Sequence, residues 1–404
     1  MSSRRTFLRQ LAGGAACMAA SGIVAPRSAL GANDRIRFGL IGAGSRGKEI
    51  FQVALHCPNV QAVAVADVYA RRLDEVQALA PAVKTYDDCR RLLDDKSIDA
   101  VLIATPQHQH ALNFVAAIQA DKDVYQEKTM AFNPGHAKRM RKAFVGSRRV
   151  VQVGMQMNSA PSIGKIQEMV AAGRLGTITA IQAHHYRNAP YGGWLREVPP
   201  DCDAGHVNWP AFEGEARHYA FDPQRYMNWR FYWDYSGGNC FENMVHQIAF
   251  WYRVLGCNIP QSVTMAGGNY RSPKMEVPDT MSVSLNQSEN LLFTWNSMFG
   301  NAYFGETWDY LLGTKGTVLH DALDRVAYLS GGKNKNEAEL PETAGYLDRT
   351  EHHMQNFFEC VRSRKEPNCP FEMGYRTAIA CQMAVASYRL KRTVRWDVQA
   401  EDIV

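Results

Sequence analysis

Two pairs of polar residues in this sequence have side chains suited to proton transfer. Glu127 and Lys128 end a strand-like run that begins at Asp123. Glu242 and His246 are four residues apart, so they share a face wherever the chain is helical. Because a histidine exchanges protons near neutral pH, these residues are candidates for acid–base chemistry. Other elements of the fold must bring the two pairs together.

A glycine-rich turn near the start of the chain points to a phosphate ligand. Residues 35–41 and 60–66 read as buried strands, and residues 48–56 have a helical pattern. Between the first strand and the helix the chain reads Gly42, Ala43, Gly44, Ser45, Arg46 and Gly47. Such glycines allow a tight turn, close approach of a pyrophosphate to the backbone, and close packing of the helix on the strand. The sequence therefore predicts a dinucleotide-binding turn.

An acidic residue, Asp67, follows the second strand 20 residues after Gly47. At this spacing a carboxylate accepts hydrogen bonds from the adenosine ribose, and it repels a 2′-phosphate. NAD is therefore the expected cofactor. NADP stays open as the alternative, because Arg71 and Arg72 lie just beyond the acid and could serve a phosphate.

Strands and helices continue to alternate as far as residue 154, which predicts a doubly wound parallel sheet. Strand patterns cover residues 98–104, 123–126 and 150–154, and helical patterns cover residues 111–120 and 134–146. Ligands bind beyond the carboxyl ends of strands in such sheets. The polar or turn residues expected at this edge are Thr105, Pro106, His110, Glu127 and Lys128.

The second half of the chain has a different pattern. Its strand candidates are residues 176–186, 262–266, 280–285, 291–295, 310–313 and 317–320. Their hairpin-like spacing predicts a large, mostly antiparallel sheet. The expected fold is therefore α/β, with a Rossmann domain over residues 33–155 and a second, substrate-binding domain over residues 156–404.

The combination of these motifs resembles the Gfo/Idh/MocA oxidoreductases, the family of glucose–fructose oxidoreductase and inositol dehydrogenase. The resemblance implies a C-terminal α/β domain with an open sheet face that often forms dimers or tetramers. It also implies that Thr105, Pro106, His110, Glu127 and Lys128 contribute to the cofactor site. The usual Glu-Lys-Pro is Glu127, Lys128 and Thr129 here.

The same resemblance assigns catalytic roles to three residues. His246 is expected to be the general base, and Lys128 is expected to orient and polarise the reacting hydroxyl or to act as the base itself. The family's usual Asp four residues before the histidine is Glu242 here, and its usual Gly two residues before is Met244. Asn243 could take over part of the acid's role.

Residues 186–235 are unusually aromatic, with four of the eight Trp and six of the seventeen Tyr. Aromatic faces suit the C–H faces of sugars, although rings also pin a loop to its domain. The candidate substrate-binding residues are His185, Tyr186, Trp229, Arg230 and Asn243. Strand alternation sends the side chains of His184 and His185 to opposite faces, so only one of them is expected at the site.

The first 32 residues predict an export signal. Arg4 and Arg5 lie in a twin-arginine pattern, and an apolar stretch too short to span a bilayer follows, with small residues near Ala29 for cleavage. We expect transport by the twin-arginine machinery to the periplasm or beyond, and no membrane segment in the mature protein. These residues hold four of the 45 basic side chains and none of the 40 acidic ones. The rest is nearly neutral, which gives no electrostatic reason to expect a nucleic-acid partner.

Metal and disulfide signals are weak. His108 and His110 flank a single glutamine, but nearby acids complete no ligand pattern, so no metal is expected. Cys360 and Cys369 are the nearest pair of cysteines after the leader, and buried free thiols are the favoured state for most cysteines here.

The favoured function is an exported enzyme that oxidises a hydroxyl of a sugar, polyol or glycoside and passes the hydride to a tightly bound nicotinamide cofactor. One alternative is a redox-neutral glycoside hydrolase or lyase, which oxidises its substrate, cleaves it through a keto-sugar and reduces it again. Another is a non-catalytic nucleotide-dependent sensor, for which the glycine turn alone would suffice.

Overall fold

The first sheet has six parallel strands in the order β3-β2-β1-β4-β5-β6. The structure is a computed structural model that describes residues 35–302, 308–330, 336–337 and 346–404. The predicted export signal lies outside these described residues. The strands are β1 (Ile36–Ile41), β2 (Val60–Ala66), β3 (Lys84–Tyr86), β4 (Ala100–Ile103), β5 (Asp123–Gln126) and β6 (Val151–Val153). The predicted doubly wound sheet is confirmed; the short β3 was not predicted.

Helices connect these strands. They are α1 (Ser45–Leu55), α2 (Ala70–Leu79), α3 (Cys89–Leu93), α4 (His110–Gln119) and α5 (Pro134–Phe144). The central strands are almost wholly apolar, because helices cover a parallel sheet on both faces. In β4, all four residues are buried. This packing places the carboxyl ends of β1, β2, β4 and β5 along one edge.

The second sheet has ten strands in the order β14-β13-β12-β11-β7-β10-β9-β8-β15-β16. All described neighbours pair antiparallel except β7 and β10, which pair parallel. The strands are β7 (Ile178–Tyr186), β8 (Ser262–Gly268), β9 (Thr280–Asn286), β10 (Leu292–Met298), β11 (Trp308–Gly313), β12 (Gly316–Asp321), β13 (Val326–Ser330), β14 (Asn336–Glu337), β15 (Val394–Asp397) and β16 (Asp402–Ile403). The prediction of a large, mostly antiparallel sheet is therefore confirmed.

Helices cover one face of this sheet. They are α6 (Ser162–Ala171), α9 (Val245–Leu255) and α11 (Phe371–Leu390). The other helices of this half of the chain are α7 (Trp209–Glu213), α8 (Pro223–Met227) and α10 (Tyr346–Ser363). In β9, Met281, Val283 and Leu285 are buried, whereas Ser282 is exposed between them. This alternation shows that the sheet has one apolar face in the core and one polar face.

Helix α10 returns from the second half of the chain to the first sheet. Met354 and Phe358 belong to the same apolar cluster as Phe38 of β1. The rings of Phe38 and Phe358 lie 5.6 Å apart between centroids. The core of the Rossmann part is thus completed by residues from far beyond residue 155, which the predicted division of the chain did not include.

Three further features concern the described residues alone. No helix among them is long and apolar enough to cross a membrane. Each of the eight cysteines among them is a free thiol, including Cys360 and Cys369. No group of three or more His, Cys, Asp or Glu residues within the described ranges is arranged to hold a metal ion.

Candidate functional site

One cavity of about 760 Å³ runs from the glycine turn to the second half of the chain. At one end its lining includes Gly42, Gly44, Ser45, Arg46, Asp67 and Arg72. Thr105 and Pro106, at the end of β4, line its middle. At the other end the lining includes Trp194, Arg196, Trp229, Arg230 and Glu242. The predicted cofactor turn and two of the five predicted substrate residues, Trp229 and Arg230, therefore line one cavity. Lys128 and His246 are not among its lining residues.

The glycine turn has the geometry that a dinucleotide requires. Gly42 has a φ of +92°, which disfavours any side chain. A Cβ on Gly47 would lie 1.9 Å from the carbonyl oxygen of Gly42, so only glycine fits. A Cβ on Gly44 would meet nothing closer than 3.8 Å, which leaves the backbone open to the cavity. No side chain caps the start of α1, so its N–H groups are available to a phosphate.

Asp67 anchors this turn and still faces the cavity. One carboxylate oxygen accepts a hydrogen bond from the backbone N–H of Ala43 at 2.6 Å, and the other accepts from Tyr69 at 3.0 Å. Arg72 lies 3.8 Å from the same carboxylate and packs over the ring of Tyr226. Arg71 instead pairs with Asp201, so Arg72 is the arginine placed to contact a nucleotide. A carboxylate has acceptor sites left for a ribose hydroxyl after two such bonds.

His110 and Glu127 support the site from behind its lining. Both ring nitrogens of His110 lie within 2.8 Å of backbone carbonyl oxygens, those of Thr129 and Thr105. Glu127 is buried and accepts a hydrogen bond from Arg46 at 2.8 Å. Neither residue is among those that line the cavity, and their polar atoms bond to the protein, so their contact with the cofactor stays a prediction. They hold the loops after β4 and β5 in place.

Glu242 contacts three polar side chains of the site. It lies in a π-helical turn, Cys240–Met244, that leads into α9. One oxygen accepts a hydrogen bond from the Lys128 ammonium at 2.6 Å, and the other accepts from Gln107 at 2.7 Å. Arg230 approaches the second oxygen at 3.2 Å. The carboxylate thus joins β5, the loop after β4 and the second half of the chain.

These partners determine the charge of Glu242. Burial opposes ionisation, but the charges of Arg230 and Lys128 outweigh it and lower the pKa of Glu242 to about 2. The side chain is therefore a permanent anion near neutral pH. It can hold Lys128 and Arg230 in position, but it cannot act as a proton acceptor there.

His246 lies one turn further on, at the start of α9. Burial, followed by the positive charges of Lys128 and Arg46, lowers its pKa well below the ordinary value of 6.5. Its Nδ1 atom is buried without a hydrogen-bond partner. The bonds of Glu242 go to Lys128 and Gln107, so the expected sharing of a helix face does not produce a Glu242–His246 hydrogen bond. The imidazole is neutral at pH 7 and able to accept a proton.

Strand β7 places only one of its candidate residues on the site side. Nε2 of His185 accepts a hydrogen bond from Arg187 at 2.9 Å, and Arg187 also donates to Asn243 at 3.1 Å. Tyr186 stacks on His184 instead, with ring centroids 4.8 Å apart. Because alternate residues of a strand face opposite sides, Tyr186 lies on the other face of the sheet from His185. The expectation that Tyr186 contacts substrate is therefore wrong for this structure.

The aromatic segment, which we call the covering segment (residues 187–235), lies over the cavity. Trp194 and Trp229 line the cavity, whereas Trp209 packs into a separate aromatic cluster. The backbone N–H of Asn208 donates to the carbonyl of Val68 at 2.8 Å, directly beyond Asp67. Both interpretations of the aromatic rings therefore apply: some rings pack the segment against the rest of the protein, and others line the cavity.

Gln107 and Arg187 are among the residues of the site that were not predicted. Gln107 donates to Glu242 and also accepts from the backbone N–H of Gly237 at 3.2 Å. Its position directly after the β4 edge was the one available signal. Arg187 follows the end of β7, and no spacing in the sequence marked it. Both residues depend on partners more than fifty positions away.

Two family models match this chain. The first, described as an oxidoreductase family with an NAD-binding Rossmann fold, covers residues 36–155. The second, the GFO/IDH/MocA C-terminal domain, covers residues 211–319. Together they cover more than half of the sequence.

Curated relatives match a part of the chain. An inositol 2-dehydrogenase from Rubrobacter xylanophilus is 30% identical over 161 residues, 39% of this chain and 46% of the relative. A glycosyl hydrolase family 109 protein from Stenotrophomonas maltophilia is 35% identical over 123 residues, 28% of this chain and 27% of the relative. The chain spans about half the length of the inositol dehydrogenases it matches.

Solved structures match nearly the whole chain. A levoglucosan dehydrogenase in complex with NADH and levoglucosan superimposes with a TM-score of 0.71 at 18% identity. The match covers 89% of this chain and 99% of the other. At this identity the similarity establishes the fold.

We predict that Gly47→Ala lowers NAD affinity by at least about tenfold, because the new Cβ cannot share space with the Gly42 carbonyl. Calorimetric titration with NAD⁺ measures the change, and circular dichroism checks the fold. Gly164→Ala is the matched control, since a Cβ there meets nothing within 4 Å. Equal NAD affinity in Gly47→Ala and the wild type would contradict the assignment of the turn.

Proposed function

The chain belongs to the Gfo/Idh/MocA family of oxidoreductases, and we propose that it oxidises a hydroxyl group of a sugar, polyol or glycoside with NAD⁺ as the hydride acceptor. The observation that carries this proposal is the continuity of one cavity. It begins at the glycine turn and ends at Glu242, which holds the Lys128 ammonium. The nucleotide site and the carboxylate that binds Lys128 thus lie along one cavity, and Lys128 is held directly behind the cavity lining.

The residues at the first end fit NAD. The uncapped start of α1 and the open backbone at Gly44 would take the pyrophosphate, and Asp67 would take the adenosine ribose. When bound, NAD⁺ supplies a hydride acceptor. Asp67 disfavours a 2′-phosphate, while Arg72 beside it keeps NADP as the second choice.

Lys128 and His246 have different roles toward the substrate hydroxyl. The Lys128 ammonium, fixed by Glu242, donates a hydrogen bond to the hydroxyl oxygen and stabilises the negative charge that develops there. His246 accepts the proton. Because Nδ1 of His246 is buried, we assign Nε2 as the accepting atom. Glu242 is a positioning residue that holds the Lys128 side chain in place.

The covering segment supports tight retention of the cofactor. Its backbone bonds to Val68, and Asp201 within it accepts hydrogen bonds from Tyr69 at 2.9 Å and Arg71 at 2.8 Å. These contacts lie next to Asp67, at the adenosine end of the cavity. A nucleotide bound there would have to disrupt them, or wait for the segment to move, before leaving.

Retention of NAD suits the export route that residues 1–32 suggest. The twin-arginine machinery carries folded proteins, so the protein would reach the periplasm with its cofactor already bound. A resident cofactor must then be reoxidised in place, either by a second substrate or by returning the hydride to the first. Arg4 and Arg5 are the residues on which this part of the proposal depends.

The polar face of the second sheet supports self-association. Gln182 and His184 of β7 and Thr294 of β10 lie on this face, on neighbouring strands of the sheet. We propose a dimer or tetramer formed through this face, as the family resemblance implies.

A redox-neutral glycosidase is the second candidate. The similarity to a glycosyl hydrolase family 109 protein favours it. The same residues would serve, because the transient oxidation needs the same base and the same orienting ammonium. The two functions differ in whether reduced cofactor accumulates.

A panel assay tests the proposal. Leader-free protein loaded with NAD⁺ is incubated with sugars, polyols and glycosides, while absorbance of the reduced nicotinamide and product masses are followed together. We expect lasting reduction and a product two hydrogens lighter. Cleaved glycoside without lasting reduction would favour the glycosidase. NAD binding without either change would favour the non-catalytic sensor.

The variant His246→Ala serves as the internal check of that assay. It should bind NAD normally and turn over about 10²- to 10⁴-fold more slowly, the usual effect of losing a general base. Wild-type turnover in this variant would refute the role given to His246.

The pH profile gives an independent prediction. The folded pKa of His246 lies below 6.5, so the imidazole stays unprotonated as pH falls through 6.5 and becomes protonated only well below it. We therefore expect kcat/KM to show no acid limb due to His246 between pH 8 and about 6.5. An acid limb centred at or above pH 6.5 that disappears in His246→Ala would contradict this.

A further inference from the structure

Arg230 lines the cavity, and the two terminal nitrogens of its guanidinium, which we call the fork, can donate hydrogen bonds. Its guanidinium lies over the ring of Trp229 at 4.3 Å, and its Nε lies 3.2 Å from Glu242. Among the described residues, neither terminal nitrogen of Arg230 has a protein partner. The guanidinium is therefore held in place by Trp229 and Glu242, and its terminal nitrogens are open to a ligand in the cavity.

The surroundings of Arg230 carry more positive than negative charge. Arg187 is partly buried, and its hydrogen bonds go to neutral groups: the ring of His185, the carbonyl of Gly192 and the amide of Asn243. Within the described ranges, no carboxylate lies within ion-pair distance of Arg187.

Arg196 adds to this excess. It also lines the cavity, and its side chain donates only to the backbone carbonyls of Gly193 and Leu195. The single carboxylate at this end, Glu242, is already shared between Lys128 and Arg230. Three partly buried cations, Lys128, Arg230 and Arg187, thus share one anion, and the exposed Arg196 lines the same end of the cavity.

Such an arrangement is costly unless an anion joins it. A guanidinium or ammonium that is partly removed from water needs compensating charge, and a planar guanidinium fork matches a planar carboxylate with two parallel hydrogen bonds. The phosphates of the dinucleotide have their own donors at the start of α1, at the opposite end of the cavity. The anion for Arg230 must therefore come from the substrate.

We propose that the substrate is an acidic carbohydrate, a sugar carrying a carboxylate such as a uronic or aldonic acid, and that Arg230 is its specificity-determining residue. This inference rests on the proposed oxidation of a carbohydrate hydroxyl. Arg230 binds the carboxylate through its two terminal nitrogens, and Arg196 and Arg187 add favourable potential. Trp229 keeps the fork oriented, and the reacting hydroxyl lies toward Lys128 and His246.

The test compares matched sugar pairs. Glucose, galactose and mannose are each assayed beside the corresponding uronate with NAD⁺-loaded protein, and kcat/KM is measured for both members of each pair. For the pair that is turned over, we expect the uronate to be preferred by about 10- to 100-fold, the range for hydrogen bonds to charged groups. In Arg230→Gln the preference should fall to about one. The ratio within each pair cancels any general loss of turnover that follows from the contact with Glu242.

Arg389→Gln is the matched control. Arg389 also lies over a tryptophan, Trp233 at 5.4 Å, but it is exposed and outside the cavity lining. This variant should keep the full preference for the uronate. Loss of the preference in Arg389→Gln as well would show that it does not depend on Arg230, and would overturn the proposal.

Further outcomes also overturn the proposal: equal or better use of the neutral sugar by the wild type, an undiminished preference in Arg230→Gln, or preference for a sugar 6-phosphate over the uronate.

If no sugar is oxidised, the proposed function fails, and calorimetric titration of NAD-loaded protein with glucuronate and glucose decides this inference alone. Tighter binding of glucuronate that is lost in Arg230→Gln supports it, and equal binding of the two sugars overturns it.

Discussion

The hydrogen-bonded ion pair between Lys128 and Glu242 is the contact on which the rest of the site depends. Lys128 follows β5 of the first sheet, and Glu242 lies in the turn that leads to α9, 114 residues later, yet their charged atoms lie 2.6 Å apart. The same carboxylate also accepts from Gln107 and approaches Arg230. One anion thus fixes the ammonium that we propose to be catalytic and the guanidinium that we propose to set specificity, and removing it would leave both cations partly buried and unpaired.

In this arrangement, Glu242 supplies a fixed charge and His246 accepts the proton. Arg230 and Lys128 keep Glu242 ionised, while burial and the neighbouring cations keep His246 neutral. The site therefore contains a fixed anion, a fixed cation and a neutral base at neutral pH. Environments that push the pKa values of neighbouring groups apart are a general way for one fold to assign acid and base roles. Here the low pKa of Glu242 excludes it as the base, which the sequence alone could not do.

Features set by local geometry could be predicted from the sequence, and features set by distant partners could not. The roles of Gly42 and Gly47 follow from backbone sterics, and Asp67 follows from the length of one strand–helix–strand unit. Alternation in β7 predicts that His184 and His185 face opposite ways. Which of the two faces the site depends on how the sheet packs against α9, and this is why Tyr186 was assigned to the wrong side. The partners of His110 are backbone carbonyls in two different loops, which no motif specifies.

The covering segment shows how one stretch of sequence can serve both stability and function. Its aromatic residues form a cluster around Trp209 and Tyr226 against which Trp229 packs, while Trp194 packs in a second cluster with Phe231 and Phe299. Trp194 and Trp229 both line the cavity. The aromatic composition indicated that the segment is ordered. Which rings are buried and which line the cavity depends on the contacts of the segment with the loop after β2. The same contacts connect the adenosine end of the cavity to its substrate end.

The single-turnover rate of hydride transfer in Glu242→Gln, with Glu242→Asp as the charge-retaining comparison, tests the central claim most directly. If Glu242 acts by holding Lys128 in place, the rate falls by about 100-fold in the Gln variant and recovers substantially in the Asp variant, while NAD affinity stays within about twofold of the wild type. An unchanged rate in Glu242→Gln, or equal losses in both variants, would contradict the account.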